Sequence, residues 1–202
     1  MGLQYALVYV SSIILQCIVN GFDASVIGAF TATTQIELLI QQIFSALGSA
    51  MVTYTGQNIG AGKQARISQG VTAAMRINAA ISAVLLLTFW GFGKPIMSIF
   101  VTNTEIISIA ARGIRITSLF LICLGGVQIL RYMLNGAGDS VYALLNGAVE
   151  VAARVIFAIG LTAIPQIGMW GIWLTTGLTW TVTAVFAYIR YRHGFWRNKQ
   201  LI

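Results

Sequence analysis

One glycine-rich segment lies between two long apolar runs, and it reads Val52-Thr53-Tyr54-Thr55-Gly56-Gln57-Asn58-Ile59-Gly60-Ala61-Gly62-Lys63-Gln64-Ala65-Arg66. The apolar runs cover residues 24–58 and 65–92, and each contains few charged side chains. A membrane-spanning helix needs about 20 predominantly apolar residues, and both runs exceed that length. Segment 52–66 is therefore predicted to hold the turn of a helical membrane hairpin.

Composition extends this prediction to the whole chain. Hydrophobic residues make up 57% of the 202 residues, charged residues make up 8%, and the mean hydropathy is +0.83. A soluble domain carries about 25% charged residues, so the 5 acidic and 12 basic side chains are too few to cover a water-facing surface. Because the sequence lacks the repeated alternation of a transmembrane barrel, the predicted fold class is an all-α integral membrane protein.

Six transmembrane helices are predicted, over residues 3–20, 24–58, 65–92, 112–134, 141–162 and 168–191. They form a bundle over residues 1–192, and a cytoplasmic basic tail follows over residues 193–202. Gly93-Lys94-Pro95 is expected to end the third helix, because proline cannot continue the backbone hydrogen bonding. Residues 96–111 are interpreted as an interfacial segment, with Thr104 as a helix N-cap.

Positively charged residues predict the orientation of the bundle. The side that carries the tail has eight of them, namely Lys63, Arg66, Arg76, Arg131, Arg190, Arg192, Arg197 and Lys199, whereas the other side has Lys94, Arg112 and Arg115. Because cytoplasmic loops carry the excess of Lys and Arg, both termini are expected in the cytoplasm of a multi-pass protein of the cell membrane. The bases form no continuous face, so the net charge of +7 does not indicate nucleic acid binding.

Charged residues inside the predicted spans are the candidate functional groups. Glu37 lies within the second helix, and a carboxylate there is costly unless it is protonated, paired or hydrated. Glu37 is therefore the candidate for proton or cation coupling, and a structural carboxyl bonded to neighbouring helices is the alternative. Glu150 and Arg154 lie four residues apart on one face of the fifth helix. They are predicted to form a self-neutralising pair that is either a buried pin between helices or a gate.

Polar residues on the first two helices predict one wall of a water-filled cavity. The candidate lining residues are Gln4, Gln16, Asn20, Gln35 and Gln41. Ordinary hydrogen bonds between helices would explain the same residues, and the protein would then be a non-transporting membrane scaffold. The sequence contains no nucleophile and base in a catalytic arrangement and no cluster of metal ligands, so no enzyme, metal site or cofactor is expected.

Segment 52–66 resembles a hallmark of the multidrug and toxic compound extrusion (MATE) family, in which G-Q-N-x-G-A-G-K/R-x-x-R joins two helices on the cytoplasmic side. Thr34-Gln35-Ile36-Glu37 resembles the R-I-E of that family, with Gln35 in place of arginine, and Phe100-Val101-Thr102-Asn103-Thr104-Glu105 resembles F-T-x-D-x-E. Asn135-Gly136-Ala137-Gly138-Asp139-Ser140 resembles R-G-A-G-D-T. The matching residues of the two turn motifs are Gly56, Gln57, Asn58, Gly60, Gly62, Gly136, Gly138 and Asp139.

The resemblance implies a fold of twelve helices in two six-helix lobes, of which this chain resembles the C-terminal lobe. It also implies an antiporter that exports drugs, often organic cations, in exchange for H⁺ or Na⁺ by alternating access. A complete carrier would need the missing N-terminal lobe or a second copy of the chain.

One departure from the family pattern qualifies what the resemblance implies. One sodium-coupled branch of the family uses carboxylates on the first and fourth helices of this lobe, and this chain has no acid there before Asp139. Glu37 is therefore left as the coupling candidate. The alternative within the same superfamily is a lipid-linked saccharide flippase, whose cavity should be more cationic than one free acid and one neutral ion pair.

Overall fold

The computed structural model describes residues 2–194 and 196, and it describes the side chains of residues 9–139, 141, 142, 145–194 and 196. The described chain is helical and contains no strand, which confirms the predicted fold class. Its helices are α1 Gly2–Val19, α2 Ala24–Gly60, α3 Gln64–Met97, α4 Thr104–Ser118, α5 Leu121–Gly136, α6 Ser140–Thr162 and α7 Gly171–His193, with a 3₁₀ turn Gly168–Trp170 before α7.

Length and composition identify the membrane-spanning elements. Helices α2, α3, α6 and α7 are long and apolar enough to cross a bilayer, and α4 and α5 together qualify as one bent span. Helix α1 has a shorter apolar part, Tyr9–Val19, within the residues whose side chains are described. Large apolar side chains such as Leu39, Leu87 and Ile156 are exposed on the outer surface, as expected where a helix faces lipid.

The third helix does not end near residue 92 as predicted, and α3 instead continues through Pro95. The proline produces a local kink, with Phe92 at φ −117° and ψ 19°. Arg115 of α4 donates to the backbone oxygens of Phe89 and Trp90, at 3.3 and 3.1 Å. These bonds satisfy carbonyl groups close to the kink, so the helix bends without terminating.

The predicted fourth helix, 112–134, is in fact two helices. Helices α4 and α5 meet at an angle of 52° across Leu119 and Phe120, whose N–H groups donate to carbonyls three residues earlier, as in a 3₁₀ turn. The absence of a Cβ at Gly177 makes room for the Phe120 ring, because a methyl there would lie 2.1 Å from it. Asn103, rather than the predicted Thr104, caps α4 by accepting from two backbone N–H groups.

The two turn motifs end their helices in the same way. Helix α2 extends to Gly60, beyond the predicted residue 58, and Gly62 then adopts φ +66°. Helix α5 is followed by Gly138 at φ +75°. In both turns the residue after this glycine donates to a carbonyl five residues back, at 2.8 and 2.9 Å, which is the Schellman arrangement. Glycine is favoured at both positions because it adopts positive φ without steric cost.

Packing separates the first two helices of the bundle. Helix α5 packs against α2 and α7, α6 packs against α7, and α1 packs mainly against α6. Helices α1 and α2, although consecutive in sequence, barely touch each other. The first two helices therefore do not pack against each other along their length.

Candidate functional site

A cavity of about 440 Å³, lined by both polar and apolar side chains, lies between α1, α2, α5, α6 and α7. The charged side chains of its described wall are Glu37, Arg131, Glu150 and Arg154. Its uncharged wall includes Tyr9, Ser12, Gln16, Thr34, Gln41, Gln42, Ser45, Gln128, Tyr132, Thr176, Trp180 and Thr183. On α2, the lining residues recur at the spacing of one helix face, from Thr34 through Glu37 and Gln41 to Ser45.

Glu37 is buried in this wall, with 7% of its surface exposed. The hydroxyl of Thr117 on α4 lies close to its carboxyl group and donates to the backbone oxygen of Ile114 at 3.3 Å, and Glu37 Oε1 has no hydrogen-bond partner among the described residues. A threonine hydroxyl can donate to a carboxylate or accept from a protonated carboxyl. With its hydrogen donated to Ile114, the Thr117 hydroxyl can accept from a protonated Glu37, and rotation of the hydroxyl would allow it to donate to the carboxylate.

Glu150 lies between two arginines. Arg154, one turn later on α6, donates to Glu150 Oε1 at 3.1 Å, so the pair expected from the sequence is present. Arg131 of α5 donates to Glu150 Oε2 at 3.2 Å. All three side chains are more than nine-tenths buried. The carboxylate therefore binds α5 to α6 and is shared by two guanidinium groups.

The two arginines differ in how fully their N–H groups are used. When the amide oxygen of Asn146 faces Arg131, it accepts from Nη2 at 2.9 Å and from Nε at 3.3 Å, while the amide nitrogen donates to Tyr142. This orientation satisfies both partners of Asn146, so we assign it. By contrast, the Nε of Arg154 is buried without an acceptor among the described residues. Arg131 is therefore held firmly, whereas Arg154 keeps donor capacity.

The arginine cluster corrects two interpretations made from the sequence. Arg131 is counted above among the eight basic residues on the side that carries the tail. It lies in the cavity wall instead, so it does not contribute to the charge that orients the bundle. The Glu150–Arg154 pair is not self-neutralising, because Arg131 adds a further positive charge to it. The sequence signal that identifies Arg131 is its position in an otherwise apolar helix, where an ionisable residue is functional by default.

The predicted lining residues have different positions. Gln16 and Gln41 line the cavity. Gln35 is exposed and lies outside the cavity wall. Because successive residues of an α-helix are rotated by about 100°, it is on a different face of α2 from its neighbour Thr34. Asn20 is also outside the wall and accepts from Gln16 Nε2 at 2.9 Å. The side chain of Gln4 lies outside the described residues, as does most of the predicted tail, 193–202.

The residues of the two turn motifs lie together at one end of the bundle. A Cβ built at Gly56 would lie 3.8 Å from the backbone oxygen of Gly136, so the two motifs pack against each other. Asp139 accepts from Arg190 of α7 at 2.8 and 3.2 Å. The α2–α3 turn, the α5–α6 turn and the last turns of α7 are therefore at the same end.

A helical bundle with a lipid-facing surface and a buried, charged cavity is a polytopic membrane protein of the transporter class. The MatE family model matches residues 1–160, and the chain belongs to this family, the MATE transporters. Two Bacillus subtilis (strain 168) proteins described as "Probable multidrug resistance protein", YoeA and YpnP, are 24% and 25% identical to the chain over 201 residues. A FAD transporter from Shewanella oneidensis is 24% identical over 94 residues, which are 46% of this chain and 21% of that protein.

Coverage differs between the chain and its relatives. The YoeA and YpnP matches include 99% of this chain but only 43% and 45% of those proteins, so the chain spans less than half of their length. A crystal structure of a MATE mutant matches the whole chain with a TM-score of 0.86 at 14% identity, and the chain covers 45% of it. An outward-facing MATE transporter and a MOP superfamily transporter from Pyrococcus furiosus both match with a TM-score of 0.85. The fold is therefore that of one six-helix lobe of a MATE transporter.

Proposed function

We propose that this chain forms half of an ion-coupled antiporter that exports small organic cations across the cell membrane by alternating access. Its family, together with the multidrug resistance descriptions of YoeA and YpnP, supports multidrug transport rather than catalysis. Glu37 carries the proposal, because it is a buried carboxyl in the cavity wall with one oxygen unpartnered among the described residues.

Exchange at Glu37 would couple the two fluxes. A carboxylate in a low-dielectric wall is strongly stabilised by one positive charge, from H⁺, Na⁺ or an organic cation. Because one carboxylate neutralises one such charge, binding of the coupling ion favours release of the substrate. Thr117 lies close to this carboxyl, and its hydroxyl can accept from the protonated form.

The other half of the cavity wall would come from the missing N-terminal lobe or from a second copy of the chain. We place such a partner on the side where α1 and α2 do not pack against each other. We place both termini in the cytoplasm. Without Arg131, the tail side still carries seven of the basic residues counted above, against three on the other side.

Proton release on binding tests the exchange directly on this chain. The chain is reconstituted in nanodiscs, and ethidium is titrated in a weakly buffered solution that contains a pH indicator. The wild-type chain and the control Glu105→Gln, which alters an exposed carboxyl at the start of α4, should release protons as ethidium binds. Glu37→Gln should bind without release. Equal release from Glu37→Gln would show that another group carries the exchange, and displacement of ²²Na⁺ instead of protons would identify sodium as the coupling ion.

A flippase for lipid-linked saccharides is the second candidate, and Arg131 favours it. The expectation of a neutral ion pair argued against a phosphate-binding cavity, but the structure shows two arginines on one carboxylate. Binding of a polyprenyl-phosphate sugar to nanodiscs containing the chain, without ethidium binding, would support the flippase and contradict the drug antiporter.

A further inference from the structure

The cavity holds a second recognition element besides Glu37. Arg131, Glu150 and Arg154 carry one net positive charge between them, and all three side chains line the cavity. An ionised Glu37 in the same wall balances this charge, but once Glu37 has bound a cation the cluster keeps a buried positive charge, and a bound group of opposite charge removes much of its cost. The cluster is therefore suited to an anionic group.

The donor geometry identifies the arginine that would make the contact. Arg131 is engaged by Glu150 and, in the assigned amide orientation, by Asn146. Arg154 gives one N–H bond to Glu150, and its Nε has no acceptor among the described residues. A guanidinium group offers five N–H donors in a planar fork that matches a carboxylate. The spare donors of Arg154 are in the same wall as Glu37.

We infer that the transported molecule is amphoteric, and that Arg154 binds a carboxylate of the substrate whose cationic group lies at Glu37. This inference rests on the proposed function, because it assigns two parts of one substrate to the same cavity. The charges are matched, since an ionised Glu37 takes the cation and the net positive cluster takes the carboxylate. Arg131 and Asn146 act as positioning residues that keep Glu150 in place.

A pair of dyes that differ only in one carboxylate tests the inference. A zwitterionic rhodamine with a free benzoate is compared with its methyl ester, which is only cationic. Each dye is titrated into the 202-residue chain in nanodiscs of neutral phosphatidylcholine, and the Kd is measured by fluorescence anisotropy. The wild-type chain should bind the acid about tenfold more tightly than the ester, as expected for one charge-assisted hydrogen-bonded contact.

Arginine variants assign the preference to its source. Arg154→Gln should reduce the acid-to-ester preference to about one, because the remaining Arg131 is already engaged. Glu150 keeps Arg131 as a partner in this variant, so the fold should persist, and circular dichroism checks this. Arg76→Gln, which removes an exposed positive charge from α3 outside the cavity, should leave the preference unchanged.

Each outcome decides between the two proposals. Equal affinities of the wild-type chain for acid and ester, or a preference that survives in Arg154→Gln, would overturn the inference and leave the antiporter proposal intact. Failure of both dyes to bind would overturn the antiporter proposal as well. If Arg154→Gln does not fold, Arg154→Lys decides. Loss of the planar fork should lower the preference to about threefold, and an unchanged preference would overturn the inference.

Discussion

Arg131 and Glu150 lie 19 residues apart in the chain, and their side chains meet in a buried ion pair of 3.2 Å between α5 and α6. The same carboxylate also binds Arg154. Because one acid compensates two bases, the three residues are not equivalent in their effect on stability. Removing the shared acid leaves two buried guanidinium groups without their common carboxylate, whereas removing either base leaves one complete ion pair.

Glu150→Gln should therefore lower the free energy of unfolding by about 3 kcal/mol, which is the usual cost of breaking a buried ion pair. Arg154→Gln should have a smaller effect, because Glu150 keeps Arg131. Unfolding in mixed micelles with increasing sodium dodecyl sulfate measures both. Glu105→Gln at the exposed start of α4 is the matched control, expected within about 0.5 kcal/mol of wild type. An equal loss in the two cluster variants would contradict the shared-acid arrangement.

Glu37→Gln should impair coupling more than folding. The amide has the size of the carboxyl, but it cannot exchange a proton. When this lobe is expressed together with a lobe that completes the carrier, proton-driven ethidium efflux should rise as the external pH falls. The Glu37→Gln carrier should lose this pH dependence while its expression and thermal unfolding stay close to wild type. Retained pH dependence at normal expression would exclude Glu37 as the coupling group.

Gly113→Ala should destabilise the contact between α4 and α7. A Cβ at Gly113 would lie 2.3 Å from the Trp173 ring, and the indole N–H of Trp173 donates to Thr33 at 3.0 Å. We expect a loss of about 1 to 3 kcal/mol, because overpacking forces the ring and its hydrogen bond to move. Gly60→Ala is the control, since a Cβ there meets nothing within 4 Å. Thermal unfolding with tryptophan fluorescence compares the two variants.

The Asp139–Arg190 pair should hold the α5–α6 turn to the end of α7. The side chain of Asp139 is 1% exposed and that of Arg190 is 27% exposed, with a shortest distance of 2.8 Å. A double-mutant cycle with Asp139→Asn and Arg190→Gln should give a coupling energy of about 1 kcal/mol, more than the usual exposed pair. A coupling energy near zero would show that the contact does not stabilise the bundle.

Apolar run lengths and turn residues are sufficient to predict most of the fold. The apolar runs place α2, α6 and α7 close to their observed positions, and the glycine-rich turns contain two of the four glycines with positive φ among the described residues, Gly62 and Gly138. The bend between α4 and α5 could not be predicted, because Leu119 and Phe120 carry no helix-breaking signal and the bend depends on packing against Gly177. Pro95 is the reverse case, because it is a helix-breaking residue and yet α3 continues past it, with Arg115 binding carbonyl groups near the kink.

The cavity is less predictable, because its wall depends on which helices are neighbours. Helical spacing predicted the contact between Glu150 and Arg154, but the contact between Arg131 and Glu150 depends on the packing of α5 against α6. Gln35 and Gln41 are both polar residues of α2, and only the orientation of the helix separates the exposed residue from the cavity-lining one.

Cysteine labelling distinguishes these two glutamines and tests the scaffold alternative. After Cys17 and Cys123 are replaced by serine, Gln41→Cys should react quickly with a water-soluble maleimide in nanodiscs, because the cavity is polar and accessible to water. Gln16→Cys on α1 should behave in the same way. Gln35→Cys should react slowly, because its exposed face of α2 is covered by lipid. Protection of both cavity positions would mean that the polar residues only join helices, and it would favour a scaffold over a transporter.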